Sequence, residues 1–171
     1  MRIVRFMRIL GISLKTGRVT VKYPAEQPLT TSEYRGRIEI DPLRCVGCGA
    51  CAVICPSKAL VIDRENEHAV LRYFIGRCIF CAMCADVCPQ KAIRVTNSFE
   101  LATTDIHDLY VDLEHELTKC SVCGEFHISK KLLESVTKAI NMDNDRLDLC
   151  PTCRRRESVR RIATRIVGVR R

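Results

Sequence analysis

Tryptophan is absent from this 171-residue chain, and aromatic residues make up only 5% of it. A small domain so poor in large rings has little to fill a core with, and something other than ring packing must hold it together. The same scarcity argues against a single-stranded nucleic-acid binder, which needs aromatic faces for bases to stack on. Long apolar runs are lacking too. The most apolar stretch, at the N-terminus, is broken by Arg2, Arg5 and Arg8. It is too short and charged to span a bilayer, and it has neither the apolar centre nor the small-residue cleavage site of a secretory signal. Cysteine, by contrast, is abundant, with 12 residues.

Eight of these fall in two runs, Cys45-x2-Cys48-x2-Cys51-x3-Cys55-Pro56 and Cys78-x2-Cys81-x2-Cys84-x3-Cys88-Pro89. This is the ligand pattern of a bacterial-type ferredoxin with two [4Fe–4S] cubes. Three closely spaced thiolates wrap one cube. The chain then turns away at the proline and carries its fourth cysteine to the other cube. The expected ligand sets are therefore Cys45, Cys48, Cys51 and Cys88 for the first cube, and Cys78, Cys81, Cys84 and Cys55 for the second. Disulfides or zinc are the alternative uses of eight cysteines, but two complete proline-terminated copies argue against both. With a protein thiolate at every iron corner there is no open position for a substrate. The pattern points to an electron relay that makes no bonds of its own.

The remaining four cysteines form Cys120-x2-Cys123 and Cys150-Pro151-Thr152-Cys153. Two such knuckles make a closed tetrahedral site, read as one Zn2+. A rubredoxin-type iron is the rival: Gly124 fits a rubredoxin knuckle, but Arg154 stands where its second glycine would be. His127 is near enough to be considered, yet four thiols already fill the site. His68, His107 and His115 read as ordinary surface or packed residues.

The formal charge of +8 is unevenly spread. Residues 1–44 carry +5, 45–98 carry +2, 99–153 carry −6 and 154–171 carry +7. Metal binding deprotonates thiols, so two cubes and a four-thiolate zinc would each add about −2. A basic sequence is then poor evidence for a nucleic-acid partner, although a zinc site beside an arginine-rich helix keeps a zinc-ribbon nucleic-acid binder as a reading of another class.

Along the chain, residues 1–14 read as a helix with an apolar arc too wide to face water, one that docks on a partner, lies in a membrane interface or packs on its own domain. Residues 17–28 read as a linker. Ile38-Glu39-Ile40 is a short strand. Ala52-Val53-Ile54 and Ala85-Asp86-Val87 are short helices after the ligand loops. Residues 59–63 and 69–75 form a hairpin turning at Arg64-Glu65-Asn66-Glu67, and residues 91–96 close as a strand. Ser57-Lys58-Ala59-Leu60-Val61-Ile62 matches Gln90-Lys91-Ala92-Ile93-Arg94-Val95, so the core is expected to be pseudo-twofold. Residues 105–117 read as an acidic amphipathic helix, 129–141 as a helix with Leu132, Leu133, Val136, Ala139 and Ile140 on one face, and 154–171 as a basic helix.

Beyond the cysteines, Tyr34-Arg35-Gly36-Arg37-Ile38 and Gly76-Arg77-Cys78-Ile79-Phe80-Cys81 resemble the eight-iron ferredoxin subunit shared by respiratory complex I (its 23-kDa subunit) and membrane-bound group 4 [NiFe] hydrogenases. The likeness covers about residues 20–101. The later knuckles resemble those of the formate hydrogenlyase iron–sulfur subunit, and the complex I form lacks them. The resemblance implies an N-terminal helix lying along a membrane-arm subunit, and cubes passing electrons towards a neighbouring subunit's cluster. The reading is an α+β chain. Residues 1–33 are an amphipathic helix and extended linker, 34–101 a two-cluster ferredoxin fold, and 102–171 a helical four-cysteine zinc module. Functionally it is a non-catalytic electron-transfer subunit, peripheral on the cytoplasmic face of a membrane-bound, ion-translocating hydrogenase. Its partners are neighbouring iron–sulfur or hydrogenase subunits, a membrane-arm subunit and the membrane surface, with no nucleic acid. A complex I-type quinone reductase is the second reading, and a free soluble ferredoxin leaves both ends of the chain unexplained.

Overall fold

The computed structural model describes residues 2–17, 20–26, 28, 30–140 and 147–166. Residues 167–171 of the expected basic helix, Asn141 at the end of the preceding one, and parts of the expected linker lie outside them. The chain divides into two compact units, Met1–Tyr34 and Arg35–Arg171.

The first unit is built on helix α1 (Arg2–Thr16). Its C-terminus closes at Gly17, which takes a left-handed φ of +60° and donates its N–H to the Ser13 carbonyl at 3.2 Å. That is the usual ending for a helix, since glycine bears no Cβ penalty there. Met7, Ile9, Leu10, Ile12 and Leu14 are exposed. Among the described residues no helix is long and apolar enough to cross a membrane.

The second unit mixes helix and sheet. Strand β1 (Ile38–Ile40) pairs antiparallel with β4 (Ile93–Val95), Ile38 opposite Val95 and Ile40 opposite Ile93. The ladder extends outward as the Gly36 N–H meets the Thr96 carbonyl at 2.7 Å and the Arg37 N–H meets that of Ser98 at 2.9 Å. A Cβ at Gly36 would collide with the Ser98 backbone, so only glycine allows this approach. Strand β2 (Leu60–Glu65) and strand β3 (His68–Phe74) form the hairpin. It turns at Asn66 and Glu67, where Asn66 takes a φ of +48°, a conformation that asparagine tolerates better than most. In β3 the period of two is clear: Ala69, Leu71 and Tyr73 are buried, with Val70, Arg72 and Phe74 between them only half-buried. Short helices α2 (Ala50–Ile54) and α3 (Met83–Val87) follow the two cysteine loops. The core gathers Ile38, Leu60, Leu71, Tyr73, Ile75 and Ile93 with Cys45, Cys51 and Cys84.

The stretch expected as an acidic helix is instead a short 3-10 turn (Ile106–Leu109) followed by strand β5 (Tyr110–Lys119). β5 pairs antiparallel along the whole of β3, His68 opposite Glu116 and Phe74 opposite Tyr110. Strand β6 (Phe126–Ser129) adds to its other side, giving the sheet order β2-β3-β5-β6. The expectation failed because Leu109, Leu113 and Leu117 recur every four residues, a spacing that serves both periods. Tertiary context decided: the open edge of β3 offered unpaired N–H and C=O groups that a strand satisfies and a helix does not. The C-terminal segment is therefore not wholly helical. Helix α4 (Lys130–Ile140) and helix α5 (Pro151–Ile166) complete the fold, near the positions read from the sequence.

Candidate functional site

Two voids of similar size lie in the cysteine-rich half. The first is lined by Cys45, Cys48, Cys51 and Cys88, with Leu71 and Ile93 among the apolar residues that close it. The second is lined by Cys55, Cys78, Cys81 and Cys84, with Leu60 and Tyr73. Each thus takes three thiols from one run and one from the other.

The loops around the voids share an unusual backbone. Gly47 and Phe80, Gly49 and Ala82, and Lys58 and Lys91 all adopt positive φ. Each pair is separated by the same interval that separates Cys48 from Cys81. Two independent loops would not place three such outliers in register, so the pseudo-twofold is carried by the backbone itself. In the second copy residues with a Cβ stand where glycine would be easier, and each costs about 1–3 kcal/mol that the surroundings must offset.

The donor chemistry suits a metal cluster in both voids. Burial, together with the neighbouring thiols, pushes the Cys51 thiol up to about 12 and that of Cys84 up to about 11. Thiolates so crowded and buried form only when a cation compensates them. The fourth ligands are held by backbone donors. The Ala92 N–H lies 3.2 Å from Cys88 Sγ. At Cys55 burial raises the thiol, but N–H groups of Leu60, Ala59 and Ser57 and the Ser57 hydroxyl outweigh it and leave it below its ordinary value. Tyr73 is buried against the second void beside Cys78, and among the described residues its hydroxyl makes no well-formed hydrogen bond. A buried orphan donor is costly, and a ligating thiolate there would satisfy it.

One contact at the first void comes from outside both cysteine runs. His115, on β5, is 4% exposed, and its Nε2 lies 3.5 Å from Cys45 Sγ. Burial lowers its pKa. The imidazole rests against Gly47, where an added Cβ would come within 2.8 Å of the ring.

The other four cysteines make a separate group. Sγ atoms of Cys120, Cys123, Cys150 and Cys153 all lie within 4.8 Å of one another, and Cys123 and Cys150 are 3.6 Å apart. A tetrahedral zinc with Zn–S bonds of about 2.3 Å spaces its sulfurs by about 3.8 Å. The knuckles are shaped by Gly124 at a φ of +75°, by its N–H on the Cys120 carbonyl at 3.0 Å, and by N–H···S bonds from Cys150 to Cys120 and from Cys153 to Cys150 at 3.3 and 3.4 Å. Backbone N–H groups of Cys150 and Cys123 lower the Cys120 thiol to about 6, overcoming its burial. His127 stands apart from this group, its Nε2 3.5 Å from the Leu147 carbonyl oxygen.

The profile of the 4Fe-4S dicluster domain matches residues 44–92. Formate hydrogenlyase subunit 6 of Escherichia coli (strain K12) is 34% identical over 154 residues, covering 84% of this chain and 86% of that protein. The chain belongs to the family of that ferredoxin-type subunit. Also similar is the chloroplastic NAD(P)H-quinone oxidoreductase subunit I of Nuphar advena, 37% identical over 133 residues, or 73% of this chain and 74% of that one. A solved chain of the membrane-bound sulfane sulfur reductase, an archaeal respiratory membrane complex, matches 75% of this chain and 64% of its own length, at 25% identity and a TM-score of 0.43. This chain spans a little under two thirds of that one.

Within this ferredoxin-type subunit, sequence reasoning missed His115. The signal was present. His115 occupies an inward position between Leu113 and Leu117, and a polar residue there interrupts an otherwise apolar alternation. It becomes visible only once β5 is recognised as a strand. His68 and His107 are exposed, as expected.

Proposed function

We propose that this chain is the electron-transfer subunit of a membrane-bound oxidoreductase complex, without catalytic activity alone. Two [4Fe–4S] cubes are held by Cys45, Cys48, Cys51 and Cys88, and by Cys78, Cys81, Cys84 and Cys55. One Zn2+ is held by Cys120, Cys123, Cys150 and Cys153. The observation that carries the reading is the crossed composition of the two voids, four thiols around each. When bound, each cube supplies a one-electron couple. The chain's own residues exclude water with Leu71, Ile93, Leu60 and Tyr73, and hold the fourth thiolates with backbone N–H groups, which tune a potential without adding charge.

The hydrogenase complex is the first choice of assembly, favoured by the later knuckles that the complex I form of the family lacks. A complex I-type quinone reductase is the second, favoured by the similarity to the quinone oxidoreductase subunit. Residues 34–101 carry the cubes. Residues 102–171 brace them and carry the zinc. Residues 1–33 dock the subunit, through the apolar face of α1, against a membrane-arm subunit and the membrane surface on the cytoplasmic face.

Metal analysis of the complex purified anaerobically through this subunit is the test. About eight iron, eight acid-labile sulfide and one zinc per chain are expected. Nickel together with hydrogen evolution from a low-potential donor selects the hydrogenase. A nickel-free complex that reduces quinone selects the second reading. Four iron with excess zinc sinks the two-cube assignment.

A further inference from the structure

The C-terminal segment does more than lie beside the ferredoxin core, because it grips the surround of the first void in particular. The Ser129 hydroxyl donates to the Val46 carbonyl oxygen. Lys131 Nζ donates to the Pro42 carbonyl at 3.0 Å, and Gln90, two residues after Cys88, donates from Nε2 to Ser135 Oγ at 3.0 Å. Pro42, Val46 and Gln90 flank ligands of the first void only. Between these struts β5 delivers His115 to Cys45 Sγ.

We propose that His115 donates an Nε2–H hydrogen bond to the Cys45 thiolate and thereby raises the reduction potential of the first cube. This rests on the reading that the first void holds a [4Fe–4S] cluster. The tautomer follows from the surroundings. Neutral imidazole carries one N–H, and His115 Nδ1 is buried without a partner among the described residues. A proton on Nδ1 would be an orphaned donor, while Nε2 would turn a lone pair towards sulfur. A proton on Nε2 makes the bond to sulfur and leaves at Nδ1 only an unpaired acceptor, the smaller cost. Reduction adds one electron and increases the negative charge on the cluster and its sulfurs. A donor aimed at one of those sulfurs therefore stabilises the reduced form more than the oxidised form. The imidazole is held in this orientation by sheet and loop, and Gly47 leaves the room that the ring occupies. His115 is a positioning residue that acts through Cys45.

The test is the midpoint potential of each cube, followed by electron-spin resonance in the full-length chain within its complex. His115→Leu keeps the bulk and removes the donor, and His115→Gln keeps a donor. His115→Leu is expected to weaken reduction of the first cube about tenfold, which is about 59 mV for a one-electron couple. The second cube should stay unchanged, and His115→Gln should recover most of the loss. Equal shifts in both cubes, or none in either with both assembled, overturn the proposal. Should His115→Leu fail to hold iron, hyperfine coupling from 15N-labelled histidine to the reduced first cube in the unaltered protein decides it, and absence of that coupling counts against the bond. A protein without two cubes overturns the cluster reading, a failure that the iron count separates from an unshifted potential.

Discussion

Cys123 Sγ lies 3.6 Å from Cys150 Sγ although 27 residues separate the two in sequence. Between them the chain makes β6, α4 and the turn leading into α5, so the contact brings together the two ends of that stretch. Four thiols this close are mutually repulsive once ionised. The Cys153 thiol is raised to about 12, chiefly by hydrogen bonding to Cys150 and Cys123.

A structural zinc would relieve that crowding, and its removal should be felt at a distance. Cys150→Ser is expected to lose the zinc and weaken assembly of the complex by about tenfold or more, since a metal-dependent module loses folding energy with its metal. Electron-spin signals of both cubes should persist in the protein that remains. Loss of a visible colour and of an electron carrier would instead identify a redox iron at this site.

Cys55 stands in the first run but lines the void of the second. Cys55→Ser should therefore perturb the cube held by Cys78, Cys81 and Cys84 and leave the cube beside Cys45 in place. Comparison of the two spin signals, before and after substitution, checks this. A change confined to the Cys45 cube would refute the exchange of fourth ligands.

Much of the cysteine-rich half was legible because its constraints are local. Three thiols at a spacing of three leave few ways to wrap a loop, and Asn66 marks a turn by its own side-chain chemistry. Gly36 was legible as a resemblance, but its reason was not: it sits where two backbones meet, beside Ser98, and Ser98 is distant in sequence. The same limit explains the failure at 105–117. Val111, Leu113, His115 and Leu117 point inward as a strand, while Leu109, Leu113 and Leu117 could equally line a helix. Nothing within the segment chooses between these. The choice is made by β3, whose edge is invisible in a one-dimensional pattern. His115 at Cys45 and Ser129 at Val46 follow from that pairing, so they were hidden with it.

Helix α1 puts Met7, Ile9, Leu10, Ile12 and Leu14 in exposed positions, with Arg8 and Lys15 on the same element. Five large apolar side chains on one short helix make a surface that is costly to leave in water, at about 25 cal/mol per Å2 of apolar area. An arginine-bearing rim suits an interface between apolar and polar surroundings. Replacing Phe6 and Met7 by Glu should therefore release the subunit. Carboxylates moved into such a contact lose their hydration without gaining a partner, a penalty of several kcal/mol, and membrane association should fall by about tenfold or more. Both cubes should still assemble, because their ligands all lie in the other compact unit. Fractionation of membranes, with iron counted in the soluble and pelleted protein, gives the answer. If the doubly substituted chain stays with the membranes as before, docking through this helix is wrong, and α1 has some other surface to cover it.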